Sequence, residues 1–297
     1  MHMTLRMRRL FLIRKNDEMN KSIILVYRDE RFSPNSVERD RAILDAVGDE
    51  LRQAGMRVSC FSEADLRPHL SADAFLSMGR KESTLMLLQQ KEAEGALVLN
   101  SPRGIAGNTR AALDDMLRQH NLPAAPLVDV GELTENSGKS FWLKCDGGSE
   151  SGMPCVAFAR NAGELRRMIA ACRQSAGCQT VVTEHVEGRQ VKFYGVQGTD
   201  FFSYYFPDAP EPRIGRCQEG SDDPSQGDFD EDQLRRDADL LSRLMDVKIY
   251  GGDCIVRCDG SYAIIDFNDW PSFSVCRQAA ARAIAKLVLN DKRIATI

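Results

Sequence analysis

Three side chains near the C-terminal end carry the clearest chemical signal in this 297-residue chain: Asp253, Asp266 and Asn268. They belong to the stretch Gly251-Gly252-Asp253-Cys254-Ile255-Val256-Arg257-Cys258-Asp259-Gly260-Ser261-Tyr262-Ala263-Ile264-Ile265-Asp266-Phe267-Asn268. Asp259-Gly260 is a favoured dipeptide for a two-residue hairpin turn. That turn sets a register in which Cys258 faces Ser261, Arg257 faces Tyr262, Ile255 faces Ile264, and Asp253 falls opposite Asp266. Side chains alternate along a strand, so Asp253, Asp266 and Asn268 share one face. Directly opposed residues have Cβ atoms roughly 4.5–5.5 Å apart. Two carboxylates at that range repel, and apolar flanks raise the cost. A bound hard cation removes the conflict. Carboxylate and amide oxygens are what Mg²⁺ accepts, with phosphate oxygens completing its shell. The competing reading is an edge hairpin with solvated aspartates, which the neighbouring Ile, Val and Phe residues fit less well.

A cation held in this way serves a phosphate, and the chain offers partners for one. Lys144 ends the strand Phe141-Trp142-Leu143-Lys144 and precedes a Gly/Ser-rich stretch, Asp146 to Gly152, whose backbone N–H groups could cover phosphates. Lys192 lies in the middle of Val191-Lys192-Phe193-Tyr194, where an inward lysine needs an anion. Taken singly, either lysine could equally be a surface residue. Glu184-His185-Val186-Glu187 joins two strands and could present backbone groups to a base.

The elements that must position these residues can be read from periodicity. Ser22 to Tyr27 is a buried strand, and a helix from about Ser36 repeats Ile43, Leu44, Val47 and Leu51 on one face before Gly55 ends it. Strands at Met56–Phe61, Ala74–Met78 and Ala96–Asn100, with a helix from about Glu82 to Gly95, continue the alternation. This pattern predicts a parallel sheet covered on both faces, without the GxGxxG of dinucleotide binding. Asn108 to His120 reads as a helix, and Leu122 to Pro126 breaks it. A strand at Val156–Phe158, a helix over about Ala162–Cys172, strands at 180–187, 190–196 and 201–206, and a helix at about 232–245 follow, with an antiparallel texture. Residues 218–232 read as a solvated acidic loop, or alternatively as a cover over the site. No internal repeat is visible.

Composition excludes several classes. The chain is 43% hydrophobic and 28% charged, which rules out collagen-like and wholly disordered sequences. Its 39 basic and 43 acidic residues leave a net charge of −4, so no bulk basic surface points to nucleic acid. Four histidines without a close pair argue against a His-based metal site. The nine cysteines show no CxxC spacing and fit a reduced, cytoplasmic protein with mostly buried thiols. Residues 1–18 carry Arg6, Arg8, Arg9, Arg14 and Lys15 around Leu10-Phe11-Leu12-Ile13. That apolar run is too short for a signal peptide or a membrane span. The segment is expected to be an unstructured basic extension, with a small membrane-surface or partner-binding helix as the alternative.

These parts, in this order, resemble the ATP-grasp superfamily. The matching pieces are Phe141–Lys144, Thr183-Glu184-His185-Val186-Glu187-Gly188, Val191–Tyr194, Gly252-Asp253 and Ile264-Ile265-Asp266-Phe267-Asn268-Asp269-Trp270-Pro271-Ser272. Asn100-Ser101-Pro102 matches the usual entry into the ATP-binding half. The resemblance implies an α/β (α+β) fold: a Rossmann-like parallel-sheet domain at 19–100, a small central lid at 101–180, and an antiparallel-sheet domain with the metal site at 181–297. It implies ATP and Mg²⁺, or Mn²⁺ in its place. Lys144 would contact the α and β phosphates, and Glu184 would hold the adenine amino group. His185 and Val186 would lie against the base, and Gln190 stands where an acidic ribose contact is common. Asp253, Asp266 and Asn268 would hold the metal, and Lys192 would lie near the phosphates or the acceptor. Lys192 and Arg257 are the candidate catalytic side chains. Arg110 or a neighbour occupies a helix start where a phosphate-binding lysine often occurs.

The resemblance further implies a carboxylate–amine ligase acting through an acyl phosphate on small-molecule or peptide substrates, with no nucleic acid or membrane partner and a homodimer as the assembly to test. Gly251 stands where D-alanine–D-alanine ligases place an arginine, so ribosomal-protein glutamate ligases are the closer general match. The alternative is a kinase of polyol phosphates, similar to inositol trisphosphate 5/6-kinases. It would need several basic residues in the cleft, for which Arg213, Arg216, Arg257 and Arg277 are candidates. A non-catalytic nucleotide-binding protein is a third reading.

Overall fold

The computed structural model describes residues 21–33, 36–134, 138–146, 156–172, 179–208 and 229–295. The basic extension at 1–18, the Gly/Ser stretch from 147 to 152, residues 218–228 of the acidic loop, Arg213 and Arg216 lie outside the described residues.

The first sheet is parallel, in the order β2-β1-β3-β4, from β1 (Ser22–Tyr27), β2 (Arg57–Ser62), β3 (Ala74–Ser77) and β4 (Leu97–Leu99). β1 is apolar at consecutive positions because both of its faces are covered. Ile23 and Leu25 point into a core with Ile43, Leu44, Val47 and Leu51 of helix α1 (Val37–Gln53), while Ile24 and Val26 point the other way, toward Leu88 of helix α2 (Glu82–Ala93). α1 stops where expected: Gly55 takes a φ of 86°, and its N–H and that of Met56 return to Arg52 O and Leu51 O.

Two helices follow β4 in the chain. Helix α3 (Pro102–Gly107) has no counterpart among the expected elements; Ser101 caps it, accepting from the Gly104 N–H, and Pro102 opens it. Gly104 is required there because a Cβ would lie 2.0 Å from Asp246 O. Helix α4 (Arg110–Gln119) follows, capped by Thr109. A small antiparallel sheet, β6-β5-β7, is built from β5 (Phe141–Cys145), β6 (Val156–Ala159) and β7 (Thr180–Glu184), with helix α5 (Ala162–Cys172) on it. The larger antiparallel sheet, β11-β10-β8-β9, uses β8 (Arg189–Val196), β9 (Phe202–Tyr205), β10 (Ile249–Val256) and β11 (Tyr262–Asp269). Helix α6 (Glu231–Met245) packs on one face, burying Leu234, Ala238 and Leu241 with Val191, Phe193 and Cys254. The expected boundary at 180/181 falls inside β7, which pairs with β5 in the small sheet.

Helix α7 (Arg277–Leu289) is the second element without a sequence expectation. Its small buried face, Ala280, Ala281, Ala283, Ile284 and Ala285, shares one core with Ile23 and Leu25 of β1, Val196 of β8, Ile249 of β10 and the rings of Trp270 and Phe273. The parallel sheet and the large antiparallel sheet are thus packed through common apolar residues.

Candidate nucleotide and metal site

β10 and β11 form the hairpin that the turn dipeptide predicts, but the register differs in its outer half. Gly260 adopts a φ of 81° and the loop takes Cys258, Asp259 and Gly260, closed by the Arg257 N–H donating to Ser261 O at 2.8 Å. Val256 therefore pairs with Tyr262 and Ile255 with Ala263, one residue off the expected pairing. A bulge at Ile265 restores the count, so Asp253 does face Asp266. Two irregularities cancel. The bulge also re-aims side chains: Ile264 and Phe267 enter the core, whereas Ile265 and Asp266 both face the cleft. Gly252, just before Asp253, lets the strands approach, since a Cβ there would meet Asp266 O at 2.4 Å.

Among the described residues, each carboxylate has one ion-pair partner. Lys192, directly paired with Asp253 across β8 and β10, donates through Nζ to Asp253 Oδ1 at 2.6 Å, and Gln190 Nε2 donates to the same oxygen at 2.8 Å. Arg110, from the first turn of α4, donates through Nη1 to Asp266 Oδ1 at 2.6 Å. Asn268 Nδ2 donates to Asp266 Oδ2 at 3.0 Å, which leaves its amide oxygen on the same face. Among the described residues, no group of three or more His, Cys, Asp or Glu could hold a metal ion. The donor set here is two carboxylates and one amide, all oxygen, which fits a magnesium ion that takes its remaining ligands from phosphate and water.

The cleft runs from these acids to an aromatic wall. Its lining includes Lys144, Glu184, His185, Val186, Gln190, Asp253 and Asp266, from five different strands and one connection, around a cavity of about 220 Å³. Lys144 Nζ reaches the Ile265 carbonyl. Burial lowers the Lys144 pKa from its ordinary value, and the Asp266 carboxylate opposes that shift. Glu184 is engaged by Lys139 at the rim. Trp142 Nε1 donates to His185 Nδ1 at 3.0 Å, and Phe158 lies with its ring centroid 5.1 Å from Trp142 and 5.4 Å from His185. Trp142 and His185 line the cleft, and Phe158 packs against both.

Arg257 is placed elsewhere: it opens the hairpin turn, donates to Ser261 Oγ at 3.2 Å and does not line the cleft. The structure does not bring Arg257 together with the other expected site residues. Arg277 starts α7 and is also outside the cleft.

Several lining residues carry no signal in the sequence. Ala125 belongs to the Leu122–Pro126 segment, which reads only as a helix break. In the structure it threads between the two antiparallel sheets: Ile264 N donates to Pro123 O at 2.9 Å and Glu184 N to Pro126 O at 2.8 Å. Val156, Ile255 and Ile265 supply apolar surface. Arg110 had a trace in the sequence, a basic residue at a helix start. A second, larger chamber adjoins the first at Arg110 and Asp266 and includes Asn268 in its lining.

Comparison with solved structures places this arrangement. No protein-family model matches the chain, and no curated protein does. A RimK-domain ATP-grasp protein from Sphaerobacter thermophilus superposes with a TM-score of 0.63 at 14% identity, covering 91% of this chain and 100% of that one. The ATP-grasp ligase PsnB complexed with a minimal precursor gives 0.61 at 16% identity, over 90% of this chain and 98% of that one. D-alanine–D-alanine ligase from Bacillus anthracis complexed with ATP gives 0.64 at 10% identity, over 91% and 95%. The parallel sheet, the small sheet and the acid-bearing antiparallel sheet together make this chain an example of the ATP-grasp fold.

Proposed function

We propose that the chain is a Mg-ATP-dependent ligase that joins a carboxylate to an amine through an acyl phosphate. The observation that carries this reading is the opposition of Asp253 and Asp266 at the end of a cleft with an aromatic wall, with Lys192 on one acid and Arg110 on the other. The base would stack near Trp142 and His185, with backbone contacts from the connection at Val186. Lys144 would meet the α and β phosphates, and Arg110 and Lys192 would turn from the acids to the phosphates once a cation takes their place. Asp253, Asp266 and Asn268 would hold magnesium, which neutralises charge on the transferring phosphoryl group.

The reaction needs no nucleophilic side chain. A carboxylate oxygen of the donor attacks the γ-phosphorus, the bond to the β-phosphate oxygen breaks, and ADP leaves. The amine nitrogen then attacks the acyl carbon, phosphate leaves and the nitrogen loses a proton. The protein's work is positioning and electrostatic stabilisation. Fold and acid pair fit a kinase of polyol phosphates too. Of the four arginines that reading calls on, Arg257 and Arg277 do not line the cleft and the other two lie outside the described residues. Incubation with Mg-ATP and mixed amino acids or peptides tests the choice. Release of both ADP and inorganic phosphate is expected. Phosphate retained on an alcohol would favour the kinase, and no binding of Mg-ATP by calorimetry would remove both.

A further inference from the structure

Asp253 and Asp266 bring two negative charges to one face of the hairpin, and Lys192 and Arg110 bring two positive charges back to them. The group is partly buried: the side chains of Asp253 and Asp266 are 14% and 25% exposed, and those of Lys192 and Arg110 are 34% and 22%. Water therefore screens these charges only in part. A divalent cation bound alone would leave two positive charges in excess there, or would have to drive both side chains out. Phosphates bound alone would draw the side chains away and leave two acids facing each other and the phosphate oxygens. Metal and phosphates together leave each charge beside an opposite one.

The two cations are placed for such an exchange. Lys192 stands directly across from Asp253, on a strand held by pairing with both β9 and β10. Arg110 opens α4, and its backbone N–H donates to both carboxylate oxygens of Asp146, at 2.8 and 2.9 Å. Each backbone is fixed, so each cation can leave its acid by turning a long side chain. Lys144, the third cation of the cleft, differs: its Nζ reaches the Ile265 carbonyl.

We propose that Arg110 and Lys192 are built-in counter-ions that keep a divalent cation out of the nucleotide-free chain, so that metal and nucleotide enter as one charge-balanced unit. This rests on the Mg-ATP reading above. It reverses the usual sign of a substitution in a binding cleft: removing either cation strengthens the hold on free metal.

Mn²⁺ serves as the probe, because its unbound form is counted directly by electron paramagnetic resonance. The unaltered chain without nucleotide should bind it weakly. Arg110→Met and Lys192→Met should each bind it about tenfold more tightly or better. Arg110→Gln and Lys192→Gln, which keep a neutral donor, should change affinity in the same direction and cover a methionine variant that fails to fold. Adding Asp266→Asn to Arg110→Met should abolish the gain. Lys139→Met, which takes a cation from Glu184 at the rim, should leave Mn²⁺ affinity within about twofold. The proposal is overturned if the unaltered chain binds Mn²⁺ as tightly as the Arg110 and Lys192 variants do. It is also overturned if Lys139→Met tightens binding as much, which would make the effect one of general charge. Failure of the unaltered chain to bind AMPPNP with Mn²⁺ present would instead remove the nucleotide reading beneath it.

Discussion

Asp266 and Asp269 lie three residues apart on β11, yet they are different kinds of acid. Asp266 is on the cleft face, its side chain 25% exposed, with Arg110 as its ion-pair partner among the described residues. Asp269 is on the opposite face, 1% exposed, between Arg28 and Arg80 from the parallel-sheet side of the molecule. Arg28 is a hub: it also donates to Asp40 Oδ2 at 3.1 Å and to the carbonyls of Met78, Asp269 and Trp270, each at 3.3 Å. A guanidinium with that many acceptors is fixed. The lesson concerns exchange. An acid with one partner at a wet edge can give it up to a ligand, whereas an acid buried between two shared arginines cannot without breaking the joint between sheets.

Removing Asp269 strikes hardest at this contrast. Asp269→Ala removes the buried anion that Arg28 and Arg80 share, leaving Arg28 only Asp40, and urea unfolding should show a loss of up to about 3–5 kcal/mol. A loss below about 1 kcal/mol would class Asp269 with the exchangeable acids. Asp266→Asn should do the reverse. It removes charge while keeping size, so ATP turnover should fall about a hundredfold or more. Stability should change by no more than about 1 kcal/mol because Arg110 keeps access to water. Turnover near that of the unaltered chain would refute the metal role.

Asn100 is an uncharged counterpart of Asp269. It is fully buried, and its side chain both donates to Ile249 O at 2.8 Å and accepts from Ile249 N at 2.7 Å, tying the end of β4 to β10 as a strand would. Asn100→Ala takes the acceptor from the buried Ile249 N–H, whereas Ile249 O keeps the Trp270 N–H at 3.0 Å, and should cost about 1–3 kcal/mol in chemical unfolding, with Mg-ATP affinity by calorimetry retained.

The smallest effect concerns Lys144. Because burial lowers its pKa, the free chain loses that charge as pH rises through the lowered value, below the ordinary lysine range. A bound phosphate would favour the charged form. Nucleotide binding should therefore take up a proton in that alkaline window, read as a buffer-dependent binding enthalpy, and affinity should weaken as pH rises. The sign for folding is opposite: the cost of burying the charged amine is relieved as pH rises through the lowered pKa. Absence of proton uptake would separate Lys144 from the phosphates.

Legibility in the sequence followed the range of the forces involved. The alternation of β1, α1, β2 and β3 was readable because strand and helix periodicities are local. The facing of Asp253 and Asp266 was reached by a turn rule whose one-residue error the bulge at Ile265 undid. Arg257 shows the limit of that rule: the same turn keeps it out of the cleft. Helix α7 went unread because its face is built of alanines, which signal helix only weakly as a pattern and gain their meaning from the packing partner. The Trp142–His185–Phe158 wall joins two strands of the small sheet and the connection that follows a third, and no local rule brings them together.

The sequence by itself determined the parallel-sheet alternation, the acid-bearing hairpin and the oxygen-rich chemistry of Asp253, Asp266 and Asn268, because these depend on residue type and spacing within a few turns or one hairpin. Only the tertiary structure decided which cation faces each acid, which side of β11 is sealed, and that a chamber along α2 opens beside Arg110 and Asp266. Those outcomes depend on contacts between residues more than a hundred positions apart, such as Arg110 with Asp266 and Arg28 with Asp269, and such contacts leave no periodicity in the chain.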